Sequence, residues 1–320
     1  MLSLRAFAIP SAAAVPVSMS HESGSLKSIL FALGANAAIA VAKLTAAVFT
    51  GSHSMLAEAI HSFADCGNQG LLLWGLKRAK RPPSPDHPLG FGKAIYFWSF
   101  IVALILFSMG GVFSIYEGIH KLDQDAPLTL PWLAVGILVF SILMELVSLR
   151  ACLQEVNRER GSQGLWAWFR QTRQSALMVV LGEDIAALAG LAIALAAILL
   201  TMVTGNPVFD ALGSIAIGVL LVGVAIGVGA EIKNLLIGES VEPRMRQAMQ
   251  RFLEDRSEVD QVFNMLTLQM GNDVMVAVKA RMREQKSARD LIDDINRCER
   301  AFKQTFPDVR WLFFEPDVSD

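Results

Sequence analysis

The chain of 320 residues is short of charge: Asp, Glu, Lys and Arg make up only 18% of it, against about 25% in ordinary soluble domains. A formal net charge of −2 provides no basic surface, so nucleic acid is not an expected partner. Cysteine is scarce. Cys66, Cys152 and Cys298 lie far apart and form neither a disulfide framework nor a C-x-x-C zinc motif. There is no G-x-x-x-x-G-K-[ST] and no Gly-rich strand–helix turn, so ATP is not the expected energy source. The absence of H-E-x-x-H argues against an intramembrane metalloprotease, and no enzyme activity or cofactor is expected.

What the chain has in excess is apolar sequence. Its mean hydropathy is +0.44, and the excess is concentrated before residue 236. A membrane-spanning helix needs about 20 largely apolar residues. Six segments qualify: Leu26–Thr50, Met55–Leu76, Ala94–Gly118, Leu130–Leu149, Ala176–Val203 and Phe209–Ile232. The expected organisation is an N-terminal tail over 1–24, a six-helix membrane domain over 25–236 and a small domain over 237–320. The tail is read as disordered, with Met19 as an alternative start. A cleaved signal peptide is the competing reading, although Pro10 and Pro16 break its apolar core.

Loop charge sets the orientation. Lys77, Arg78, Lys80, Arg81 and Lys93 lie between helices 2 and 3, and Arg150, Arg158, Arg160, Arg170 and Arg173 between helices 4 and 5. The opposite loops carry almost no positive charge. The positive-inside rule then places both termini in the cytoplasm, as an even helix count requires. A bacterial-type inner membrane is the expected location.

After the sixth segment the pattern becomes that of a soluble domain. Pro243–Glu254 and Ala288–Phe306 have helical spacing, while Phe263–Gln269, Val274–Met282 and Val309–Phe314 read as strands. Helix–strand–strand–helix–strand is a small α+β sandwich of ferredoxin-like type. All five histidines precede Lys121, so this domain is expected to bind no metal tightly and to act as a dimer contact.

Charged residues inside a membrane cost about 2.5–3.5 kcal/mol each on insertion scales and mark function by default. The second segment carries Glu58, His61, Asp65 and Asn68, the fifth Glu183 and Asp184, the fourth Glu145 and the first Lys43. His61 and Asp65 are one turn apart on one helix face, and imidazole with carboxylate is a usual zinc ligand pair. At about 1.5 Å per residue, His61, Asp65 and Asp184 all fall near the midplane. A plain His–Asp hydrogen bond between helices is the alternative.

The stretch GSHSMLAEAIHSFADCGNQGLLLWGLKRAKRPPSPDHPLGFGKA resembles the second helix and following loop of cation diffusion facilitators, and VVLGEDIAALAG resembles their fifth helix. Within that family the chain is most similar to the branch of the mitochondrial zinc transporter. The resemblance implies a homodimeric, proton-coupled antiporter of divalent metal cations with cytoplasmic C-terminal domains. It carries over His61, Asp65 and Asp184 as metal ligands. The family's usual first ligand position on helix 5 is Val180 here, which cannot ligate. Glu183 is the candidate for the open position, with water, Asn68 or Glu145 as alternatives. A site with one imidazole and several carboxylates keeps manganese and ferrous iron open beside zinc.

Other residues carry weaker expectations. Glu145 is read as a proton relay or a paired acid, Lys43 as snorkelling or paired, Cys66 as packing, and Asp210 as interfacial. Asp86 and His87 sit where some relatives hold a second metal site, but Phe91 replaces another histidine of that site. The expected mechanism follows from linkage, because protons compete with metal for the same ligands. A metal-sensing or scaffold protein without transport is the alternative function.

Overall fold

The computed structural model describes residues 20–50, 53–122 and 131–319. Six helical passages form the first part. They are α1 (Ser20–Thr50), α2 (His53–Ala79), a third made of α3 (Ala94–Ile105), a π-helical stretch (Leu106–Val112) and α4 (Phe113–Leu122), then α5 (Pro131–Arg160), α7 (Ser175–Thr204) and α8 (Val208–Ile237). Between α5 and α7 lies a short helix, α6 (Leu165–Gln171), which the sequence reading missed. Its seven residues are too few to show a period.

Among the described residues, five passages are long and apolar enough to cross a membrane. The remaining passage, α2, has 27 residues, packs along α1, and carries the polar residues singled out above. The helices outrun the apolar segments: α5 continues past Leu149 to Arg160, so Arg150 and Arg158 belong to the helix and not to a loop. The expected tail shortens correspondingly. α1 begins at Ser20, so residues 20–24 are helical, while the rest of the tail lies outside the described residues. Large apolar side chains such as Trp132, Val203 and Ile226 face outward, as expected where the surrounding solvent is lipid.

Inside the bundle, the first three turns of α7 are enclosed: every residue from Ser175 to Asp184 is buried. The third passage crosses α8 at backbone contact. A Cβ on Gly218 would lie 2.7 Å from the carbonyl oxygen of Gly111, and small residues at such crossings let membrane helices approach closely.

The second part is α9 (Pro243–Glu254), β1 (Val259–Met270), β2 (Asp273–Met282), α10 (Ala288–Thr305) and β3 (Val309–Pro316). The sheet order is β1-β2-β3, with β1 and β2 antiparallel and β2 and β3 parallel. Val274, Val276 and Val278 point inward, as their alternation predicts, and share a core with Met249, Leu253, Cys298 and Phe302. Ser287 caps α10 by accepting a hydrogen bond from the Asp290 N–H. Glu258, just before β1, is desolvated by burial, but hydrogen bonds from Arg256 and Ser257 outweigh that and hold its carboxyl below the usual range.

The two parts are docked. Tyr96 on α3 accepts a hydrogen bond from the Gly271 N–H at 3.0 Å, and Arg173 donates to the Ser240 carbonyl at 2.7 Å while pairing with Glu239 at 3.2 Å. Gly92, in the α2–α3 loop, touches the β1–β2 turn: a Cβ there would fall 1.8 Å from the Met270 carbonyl oxygen. The turn itself needs glycine, since Gly271 has φ +73°.

Candidate metal centre

The adjacent acids of α7 reach different neighbours, because successive helix residues differ by about 100° in direction. Asp184 is 3% exposed and turns to α5, where Ser148 Oγ lies 3.2 and 3.1 Å from its two carboxylate oxygens. Glu183 turns to α2. Gln69 Nε2 donates to its Oε2 at 2.6 Å, and both side chains are buried. Glu183 Oε1 and Gln69 Oε1 have no hydrogen-bond partner among the described residues. Asn68, also buried, lies beside the same carboxylate.

Asp65 on α2 is half-buried. Asp65, Glu145 and Asp184 stand close enough to Glu183 for their charges to act on it. Glu145 is 5% exposed and within electrostatic reach of Asp184, Asp65 and the buried Lys43 of α1. Four helices therefore direct ionisable groups into one enclosed region. Carboxylates gathered in so dry a space need a counter-cation; Lys43 supplies one, and the remainder calls for metal ions or protons. Among the described residues, no three His, Cys, Asp or Glu side chains are arranged closely enough to hold a metal ion. His61 sits on α2, but its side chain lies outside the described residues, as does that of Glu58.

The weaker candidates separate clearly. Cys66 is half-buried on α2. Asp86 and His87 are exposed in the α2–α3 loop, and the His87 ring stacks on Phe91 at 4.4 Å between centroids. Asp210 pairs with Lys121 at 3.5 Å at the end of the bundle away from the sheet domain. A cleft of about 270 Å³ opens at the joint between the two parts, lined by Lys80, Arg173, Asp273 and Arg310 among others, and none of the membrane acids reaches it. Ser148 and Gln69 escaped the sequence reading. Serine and glutamine are common, and only the partner on another helix distinguishes these two.

A family model for the cation efflux transmembrane domain matches residues 29–237, from α1 to the end of α8. The chain belongs to the cation efflux family, that of the cation diffusion facilitators. It is a multi-pass membrane protein. Over 314 residues it is 33% identical to the proton-coupled zinc antiporter SLC30A9, mitochondrial, of Xenopus laevis, covering 85% of this chain and 56% of that protein. It is 35% identical to metal tolerance protein C4 of Arabidopsis thaliana over 67% of this chain and 48% of that one. The magnetosome protein MamB of Paramagnetospirillum magneticum is 25% identical over 84% of this chain and 86% of its own. This family member thus spans about half the length of the eukaryotic relatives it matches.

Proposed function

We propose that the protein exports divalent metal cations from the compartment that holds its sheet domain, in exchange for protons. Zinc is the first substrate, with manganese and ferrous iron as competitors. The observation that carries this reading is the convergence of Asp65, Glu145, Glu183 and Asp184 in the interior of a cation efflux membrane domain. The relatives named as proton-coupled zinc antiporters support zinc and the proton coupling. The proposed ligands are His61, Asp65 and Asp184, with Glu183 as the fourth; Asp65, Glu183 and Asp184 must draw together on the ion, since they do not stand at ligating spacing in this conformation.

The chemistry follows from the donor set. Carboxylates and imidazole bind metal only when deprotonated, so metal entry expels protons and protons arriving from the other side expel metal. Two packings of the helices around the site, biased by which cation is bound, suffice for exchange. The working unit is a homodimer with both termini in the cytoplasm of a bacterial-type membrane. Leu266 and Phe313, 63% and 57% exposed, flank Ala277 in one row across the open face of the sheet. A two-fold axis would let the same row serve both partners.

Purified protein in proteoliposomes tests this reading. Uptake of zinc should exceed that of manganese and iron, and should accelerate when the vesicle lumen is acidic. Zinc binding without any uptake would instead favour a sensor or scaffold.

A further inference from the structure

The buried residues of α5 fall on one stripe. Ser141, Glu145, Ser148, Cys152 and Glu155 are each no more than 6% exposed, and they recur at alternating steps of four and three, which is a single helix face. Val156 is the only aliphatic residue among the buried positions of this helix. A stripe facing the interior of a membrane bundle is expected to be apolar unless it lines a path or site.

The hydroxyls on this stripe also behave differently from several others in the bundle. Thr45, Ser108, Ser114, Thr201 and Ser214 each donate to the carbonyl oxygen of the residue one turn back, Val41, Leu104, Gly110, Ala197 and Asp210. That is the ordinary way to satisfy a hydroxyl in a membrane helix. Ser148 instead spans to Asp184 on α7, and Ser141 Oγ has no partner among the described residues. On α1, which packs against α5, Ser28, Asn36 and Lys43 are buried, and Ser28 Oγ is likewise without a partner. At the end towards the sheet domain the stripe reaches the surface: Glu155 pairs at 3.2 Å with Arg158, whose side chain is 70% exposed.

We propose that this stripe is the route by which the divalent cation passes between the surface on the sheet-domain side and Asp184. Glu155 stands at its mouth, Cys152 is a transient soft contact, and Ser148 delivers the ion to the Asp184 carboxylate. The proposal rests on the reading of Asp184 as a metal ligand. In this conformation the route is shut, since Cys152 is fully buried in the core cluster that also holds Ala176–Leu181 of α7. Passage requires α5 and α7 to part there. A sulfur on the way suits zinc better than manganese or magnesium, which prefer oxygen donors.

The test compares Cys152→Leu, Cys152→Ser, Glu155→Leu and Asp184→Ala in the full chain. Zinc uptake is measured in proteoliposomes, and equilibrium zinc binding by calorimetry in detergent, where both faces of the bundle are open. Cys152→Leu and Glu155→Leu should lower the initial uptake rate by about tenfold or more, the scale seen for supporting residues of metal sites, while leaving equilibrium binding as in the unaltered protein. Cys152→Ser, small and polar but without the soft sulfur, should fall between Cys152→Leu and the unaltered protein in rate. If Cys152→Leu does not fold, Glu155→Leu decides alone. Undiminished uptake by the leucine variants overturns the route. If Asp184→Ala is inactive at the same time, only the route has failed; if Asp184→Ala also transports, the metal site itself is misplaced.

Discussion

Glu183 and Asp184 are neighbours in sequence and bond to different helices. Asp184→Ala removes a proposed anionic ligand and leaves Ser148 without its acceptor, so transport should be lost while the protein stays folded; wild-type uptake by this variant would displace Asp184 from the site. Val180 lies one turn before Asp184 and is fully buried. Val180→His should therefore raise the ratio of zinc to manganese transport, because imidazole favours zinc. An unchanged ratio would mean that position 180 does not face the ion. The sequence made Asp65 and Asp184 visible because charge inside an apolar run is rare. Ser148 and Gln69 were not visible, since each gains its meaning from a partner on another helix, Gln69 from one 114 residues away. Nor did adjacency reveal that Glu183 and Asp184 reach different helices; only their partners, Gln69 on α2 and Ser148 on α5, do.

At the scale of elements, hydropathy located the passages well and their ends poorly. α5 runs to Arg160 because basic and polar residues remain good helix formers once outside lipid. The strands of the sheet were legible from alternation, as Val274, Val276 and Val278 show. The contact between the α2–α3 loop and the β1–β2 turn was not, because two glycines give no periodic signal. Gly92→Ala should push that turn away, and hydrogen exchange at Gly271 and Asn272 should quicken; unchanged exchange would contradict the docking described. Within the sheet domain, Glu258 carries a pH prediction. Its carboxyl titrates lower in the folded state than unfolded, so its pairing with Arg256 stabilises above the unfolded value of about 4.3 and fades as pH falls through the folded one. Glu258→Gln should lower the melting temperature at pH 7 and match the unaltered protein in strong acid. A deficit that persists in acid would mean that packing, not charge, is responsible.

Across the whole molecule, the proposed function puts the ion site in the membrane part and the dimer contact on the sheet domain. The absence of histidine after His120 predicts that full-length protein carrying both Asp65→Ala and Asp184→Ala binds no zinc at submicromolar concentration; retained tight binding would place a second site elsewhere. Phe313→Glu should shift the detergent-solubilised protein from dimer to monomer in light scattering, since it puts charge into the apolar row of the open sheet face. The proposed exchange couples metal to protons through the acids of α2, α5 and α7. It is tested most directly by recording zinc entry and lumenal pH together in the same proteoliposomes. The lumen should become more alkaline as zinc enters, and Asp184→Asn should abolish both signals together. Zinc entry with no change in lumenal pH, or proton flux that survives without Asp184, would contradict it.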